Sequence, residues 1–221
     1  MLVKPLTQEM IDAGQEFWDM LYPSDPELSR LQKAKPQDEV VDKITYLDRW
    51  YSTRVFRAKW NVADFIRRWV VTTKAKGPEM VEELIEDLRP FFPYQARKTV
   101  FCAKFVGRFV DPKVPIIDIF AEDMGWWHLG LPVPADGEER YNGNGRYRSF
   151  HAYLTQIREE AGLTSHISTW DPYLWIAGSF RFANGNASGD LAPYFERYRR
   201  DPGSEPLLGK LLGEKNKNKK K

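Results

Sequence analysis

The chain has 221 residues, of which 42% are hydrophobic and 14% aromatic, with eight tryptophans; that is enough for a sizeable packed core and excludes a globally disordered protein. The net charge of +2 is unevenly spread, because the last eight residues hold five lysines and one glutamate, so the body is slightly acidic and bulk charge announces no nucleic-acid binder. One cysteine, Cys102, excludes an internal disulfide and a multi-cysteine metal cluster.

In chain order the apolar period is helical almost throughout. Thr7 is placed to cap a first helix with Met10, Ala13, Phe17 and Leu21 on one face. The stretch YPSDPE breaks it. Val40, Ile44, Leu47 and Tyr51 mark a second helix, and Asn61 is placed to cap a third with Phe65, Ile66, Trp69 and Val70 inward. A fourth starts at GPE (77–79), shows Met80, Leu84 and Leu88 on one face, and stops at Pro90 and Pro93. The next runs from Arg97 to about Val110, with Phe101, Phe105 and Phe109 in a row beside Val100 and Val106. After the loop DPKVP a helix starts near Asp118 and carries Met124, Trp127 and His128.

Residues 132–148 are polar and turn-rich and read as a surface loop. Ser149 is placed to cap a helix with Phe150, Tyr153, Leu154 and Ile157, and Asp171-Pro172 to open another through Trp175. FANGNASGD reads as loop. With no sustained alternating pattern and no internal repeat, the expectation is an all-α fold of eight to ten short helices over residues 1–210, followed by a basic, disordered tail at 211–221.

Neither the histidines (128, 151, 166) nor the rest of the sequence shows an HExxH pattern, so no metal site is expected. No run of about 18 apolar residues and no apolar signal core is present, which predicts a cytoplasmic protein without a membrane span.

The stretch with most chemical content is PYQARKT (93–99). A proline-led turn feeding a helix leaves backbone N–H groups at its N-terminus, which favours an anion such as phosphate. Arg97 and Lys98 add charge beside it. The plain alternative is a helix corner with solvated basic residues. Twenty positions after Lys98, Asp118 ends the apolar run VPII. It reads either as an N-cap or as a carboxylate held at a helix entry.

FPYQARKTVFCAKF followed by VPIIDIF resembles the helix-hairpin-helix DNA glycosylase superfamily, whose hairpin reads L-P-G-x-G-[RK]-[KT]-[TA] and is followed about twenty residues on by an apolar run ending in aspartate. Phe92-Pro93 matches the opening pair, Arg97-Lys98-Thr99 the basic triplet of the endonuclease-III-like branch, and Ile116-Ile117-Asp118 the approach to the aspartate. Tyr94 and Ala96 stand where the hairpin glycines would be, Ile119-Phe120 follow Asp118 in place of Thr-His, and the iron–sulfur cysteines are missing. Lys104-Phe105, Pro115-Ile116-Ile117-Asp118 and Leu174-Trp175-Ile176-Ala177-Gly178 are similar to a pattern in uncharacterised bacterial proteins, A-S-K-x-L-x-F, P-I-x-D and L-W-x-x-G.

The resemblance implies a two-lobed helical domain with a cleft between the lobes and a monomeric enzyme, needing no cofactor, that works on double-stranded DNA. It would flip out a damaged or modified base and hydrolyse its glycosidic bond. Asp118 would stabilise the oxocarbenium-like charge or activate water. Lys98 occupies the place of the lyase lysine, which attacks as a neutral amine; a phosphate-contacting lysine is the alternative. Tyr94, Gln95, Arg97, Thr99, Lys104, Arg146 and Arg148 are the candidate DNA contacts. Trp126, Trp127 and His128 are the candidate base pocket, against the plainer reading of a core stripe. Glu122 and Asp123 read as a negative first turn. A widened pocket would admit bulky modified bases such as those of phage DNA, which would place the protein in bacterial defence. The alternative is a non-catalytic helical DNA-binding or protein-interaction protein that kept the fold.

Overall fold

The computed structural model describes residues 2, 4–51, 59–91, 95–132, 145–183 and 189–213, without the side chains of 51 and 95–97. Every regular element among them is helical: α1 (Gln8–Leu21), α2 (Pro26–Lys33), α3 (Val40–Tyr51), α4 (Lys59–Thr72), α5 (Pro78–Asp87), α6 (Gln95–Phe109), α7 (Ile119–Leu129), α8 (Arg146–Ala161), α9 (Asp171–Phe182), α10 (Ala192–Arg200) and α11 (Pro206–Leu211), with short 3₁₀ turns between some of them. The chain is therefore all-α. No helix among the described residues is long and apolar enough to cross a membrane.

The chain divides into two compact units, one of Met1–Pro23, Asp118–Val133 and Tyr153–Lys221, the other of Ser24–Ile117 and Pro134–Ala152. In the first unit α9 packs on both α1 and α7, and α11 packs on α1. Two glycines let α9 come in close. A Cβ on Gly14 of α1 would lie 2.7 Å from the Tyr173 backbone, and one on Gly178 of α9 would lie 2.5 Å from the Phe120 carbonyl. α9 buries Tyr173, Leu174, Ile176, Ala177, Gly178 and Ser179, and a helix apolar around most of its girth belongs inside.

In the second unit α6 is the buried helix, touched by α2, α3 and α5. Phe101, Phe105 and Phe109 stack along it with centroids 6.0 and 5.7 Å apart. Lys43 of α3 is enclosed and its ammonium donates to the carbonyls of Lys35, Pro36 and Asp38 at 2.6, 3.4 and 2.9 Å. It thereby supplies donors to carbonyls of the turn before α3, where the turn's own Asp38 N reaches that of Lys35 alone, at 2.9 Å. Tyr147, buried at the start of α8, donates to the Pro115 carbonyl at 2.8 Å.

Several expectations need correction. YPSDPE does not only end α1: Asp25 accepts a hydrogen bond from Leu28 N at 2.9 Å and Pro26 takes the first turn, so the breaker also starts α2. α4 begins at Lys59, so Asn61 lies inside it. α8 begins at Arg146 within the expected loop, and Ser149 is not its cap; the Glu82 carboxylate accepts from Arg148 N at 2.7 Å instead. Trp170, ending a 3₁₀ turn, precedes α9, which makes Asp171 a first-turn residue rather than a cap. α10 and α11 were not expected at all. Leu211 and Leu212 are buried, so packed structure passes position 210, while 214–221 lie outside the described residues.

Candidate active site

α6 brings the first candidates. Pro93 and Tyr94 lie outside the described residues, as do the side chains of Gln95 and Arg97. Lys98 stands three and four residues before Phe101 and Cys102, on the same inward face, and is only 1% exposed. Among the described residues no hydrogen bond or ion pair holds its ammonium. Burial lowers its pKa, with Arg89 adding to the effect and Glu86 opposing it. Cys102, one turn on, is buried and its thiol is pushed up by desolvation, so it offers no negative charge at neutral pH. Thr99 and Lys104 are also buried. Neither presents its side chain to solvent, so the outward phosphate contact expected of them does not fit their position.

Asp118 caps α7. Its backbone is extended (φ −143°, ψ −179°) and its Oδ1 accepts from Ala121 N at 2.9 Å. The four residues before it, Val114 to Ile117, are buried and Asp118 is half-buried. The apolar run thus anchors the backbone and the carboxylate is the first group to emerge from it. Downstream, the close contact of Gly178 with the Phe120 carbonyl fixes the first turn of α7. The boundary between the two units falls between Ile117 and Asp118. Glu122, in the first turn of α7 as expected, and Asp123 are only 3% and 4% exposed.

The expected base pocket divides. Trp126 and Trp127 are half-buried. The Arg181 guanidinium lies 4.1 Å from the Trp127 ring centroid and Lys4 Nζ lies 5.8 Å away, so Trp127 already carries cations. His128 is fully enclosed and both ring nitrogens are engaged: Nδ1 lies 2.8 Å from the Lys4 carbonyl and Nε2 2.8 Å from the Tyr173 hydroxyl. A carbonyl only accepts, so Nδ1 carries the proton and donates, and Nε2 accepts from Tyr173. Burial lowers the imidazole pKa to about 4, consistent with this neutral tautomer. His128 is a core pin and has no edge left with which to read a base.

Arg146 is buried and Arg148 exposed, so of the two Arg148 alone faces solvent. It lines an open groove of about 390 Å³ together with Lys76, Pro78, Glu79 and Glu82. Neither Asp118 nor the Trp126–His128 segment lines that groove. The rest of the expected loop, 133–144, lies outside the described residues. No group of three His, Cys, Asp or Glu side chains among the described residues is placed to hold a metal.

Sequence reasoning missed two features here. The Lys98 side chain is enclosed, which the inward spacing 98, 101, 102, 105 would have signalled. Trp50 and Trp60 are 55% and 63% exposed, signalled by their absence from the apolar faces of their helices. Comparison with protein families, with curated proteins and with solved structures returned no match.

Proposed function

We propose that the chain is a DNA glycosylase of the helix-hairpin-helix kind, with a two-lobed helical body, that flips out a damaged or modified base and hydrolyses its N-glycosidic bond. The observation that carries this reading is Asp118: a half-buried carboxylate at the entry of α7, at the end of a buried apolar run, twenty residues beyond the Arg97-Lys98-Thr99 helix start. In the reaction the oxygen of water bonds to C1′ of the deoxyribose as the C1′–N bond breaks. The pair of electrons leaves with the base, which is protonated, and an abasic site remains. Asp118 orients the water or faces the positive charge that develops on the sugar.

The enclosure of Lys98 favours water over its amine as the nucleophile, so excision without strand cleavage is the primary route. Its lowered pKa is the one property that suits amine attack. Arg148 and, by resemblance, Arg97 hold the DNA backbone, and Trp126 and Trp127 wall the base site. We take the protein as a cytoplasmic monomer whose substrates extend to bulky bases of phage DNA, a role in bacterial defence.

Two observations favour a second reading, a non-catalytic helical binding protein: Asp118 spends Oδ1 on its own helix cap, and Tyr94 and Ala96 replace the hairpin glycines. Abasic-site formation on a panel of genomic and phage DNAs separates the two. The enzyme reading expects abasic sites with wild type and at least a hundredfold fewer with Asp118→Ala. Equal rates, or none across the panel, overturn it.

A further inference from the structure

Among the described residues the two most exposed large apolar side chains lie on one helix. They are Val71, 68% exposed, and Trp60, 63% exposed, both on α4 of the second unit. α4 turns Val62, Ala63, Ile66 and Trp69 inward and packs on α3. Its outer face carries Trp60, Asp64, Arg67 and Val71, all exposed. Eleven residues make close to three turns, so Trp60 and Val71 stand in one line about 16 Å apart with the two charges between them. A lone exposed apolar side chain needs no explanation; the order of these four along the helix does.

The steps from Trp60 to Asp64, Arg67 and Val71 are four, three and four residues. That series reads the same from either end, and it is the spacing by which helices seat on each other in a coiled coil. The chemistry along it runs apolar, acidic, basic, apolar. Asp64 Oδ1 and Arg67 Nη1 are 2.6 Å apart, and both side chains remain exposed. A two-fold axis between them, normal to α4, sets Trp60 against the partner's Val71 and Asp64 against the partner's Arg67. The two ion pairs then join into one group of alternating charge. A parallel pair in register sets Asp64 on Asp64 and Arg67 on Arg67, so charge selects the antiparallel arrangement.

We infer that the outer face of α4 is a self-association surface, on which two copies of this chain pair antiparallel about a two-fold axis. Complementarity of the line to itself chooses the occupant. A two-fold pair presents the same surface from both sides, so every group must meet its complement under one rotation, and this line does so at all four positions. Nucleic acid fits it less well, because Asp64 stands within the line and repels phosphate. A contact three turns long is small for a protein interface, so the pair is a weak one that dissociates on dilution. The inference stands apart from the glycosylase reading, since no residue of the first unit enters it. The monomer taken there is the working unit at low concentration, and the pair is its associated form at high concentration.

The test is sedimentation velocity of the full chain between about 1 and about 300 μM, the range in which a weak pair forms. The weight-average mass of wild type should climb from one chain towards two. Trp60→Ala should weaken association about tenfold. Asp64→Arg places arginine on arginine across the axis, Arg67→Asp places aspartate on aspartate, and each should weaken it by a similar factor. An equimolar mixture of those two charge variants meets acid with base at both positions, so it should associate at least as tightly as wild type. All of these side chains are exposed, so helical circular dichroism and the urea midpoint should stay close to those of wild type. A mass of one chain at every concentration overturns the inference and leaves the face to a different protein. Association that Trp60→Ala and Asp64→Arg both leave unchanged overturns it too, as does a mixture no tighter than its two parts.

Discussion

Two lysines of the second unit are almost completely enclosed, and they differ in what meets the ammonium. Lys43 on α3 is 0% exposed and Lys98 on α6 is 1% exposed. Burial lowers the pKa of both. Lys43 spends its three protons on three backbone carbonyls between residues 35 and 38, and Asp38 and Glu39 hold its charge in place. Lys98 has no such set among the described residues. A buried cation with every proton engaged closes a turn and is structure. A buried cation with no hydrogen bond among the described residues carries a desolvation cost, and that is the kind of group worth testing for chemistry.

The largest effect on stability should come from breaking the satisfied site. Lys43→Met keeps the length of the side chain but takes the ammonium from the Pro36 and Asp38 carbonyls, leaves that of Lys35 with Asp38 N alone, and removes a charge-assisted set. A loss of about 4 kcal/mol is expected, read as a lower midpoint in urea denaturation with the slope unchanged. A loss under about 1 kcal/mol would mean that water replaces the ammonium, and the contrast between the two lysines would collapse.

His128 provides the same contrast on the pH axis. Burial disfavours the charged imidazolium and Arg181 adds repulsion, and protonation would turn the Nε2 bond round, so that the Tyr173 hydroxyl accepts and its own proton needs another acceptor in the core. Its folded pKa of about 4 lies below the unfolded value of 6.5. Between the two the unfolded chain binds more protons, so stability falls as pH drops from neutrality through 6.5 and stops falling on this account below about 4. The whole loss is about 3 kcal/mol. In His128→Gln the part of the acid slope between pH 6.5 and 4 should flatten. A wild-type-like slope in that variant would show that other groups cause it.

Next in size is Gly178→Ala. The added methyl meets the Phe120 carbonyl at 2.5 Å, and backbone does not yield like a side-chain tip. A cost of about 2 kcal/mol is expected. The first turn of α7 must shift, so abasic-site formation should fall further than stability does. Equal activity after correction for the folded fraction would show that Asp118 is indifferent to this contact.

These sites also mark how far the sequence could be read. The helical class was legible because the apolar spacing of α1, α3, α5 and α6 follows one period, and the Asp118 cap followed from an aspartate standing before IFAED. α2, α10 and α11 were not legible: they are 8, 9 and 6 residues long, too short for a period to declare itself, and each begins at or beside a proline that reads first as a breaker. The start of α8 was hidden because its N-terminal donor is met by Glu82, 66 residues away in sequence. Lys98 and Thr99 were assigned by their match to the hairpin motif, and Lys104, Glu122, Asp123 and His128 by resemblance or residue type; neither ground states whether a side chain is enclosed. Their burial follows from which helices surround α6 and α7; the spacing 98, 101, 102, 105 marks Lys98 as inward, and no such local pattern marks the others.

The smallest stability effect is the most informative about Lys98. In Lys98→Met an enclosed ammonium gives way to an apolar side chain of similar shape. The partners lost are few, and the cost of desolvating a charge disappears. The variant should therefore stay within about 1 kcal/mol of wild type, or gain, where Lys43→Met loses about four times that. Function separates the remaining readings. If the amine attacks C1′, borohydride should trap a covalent protein–DNA adduct with wild type and none with Lys98→Met, while both remain folded. If water is the nucleophile, neither protein should be trapped and both should form abasic sites. If Lys98→Met instead unfolds, Lys98 has the same structural duty as Lys43, and its enclosure carries no catalytic meaning.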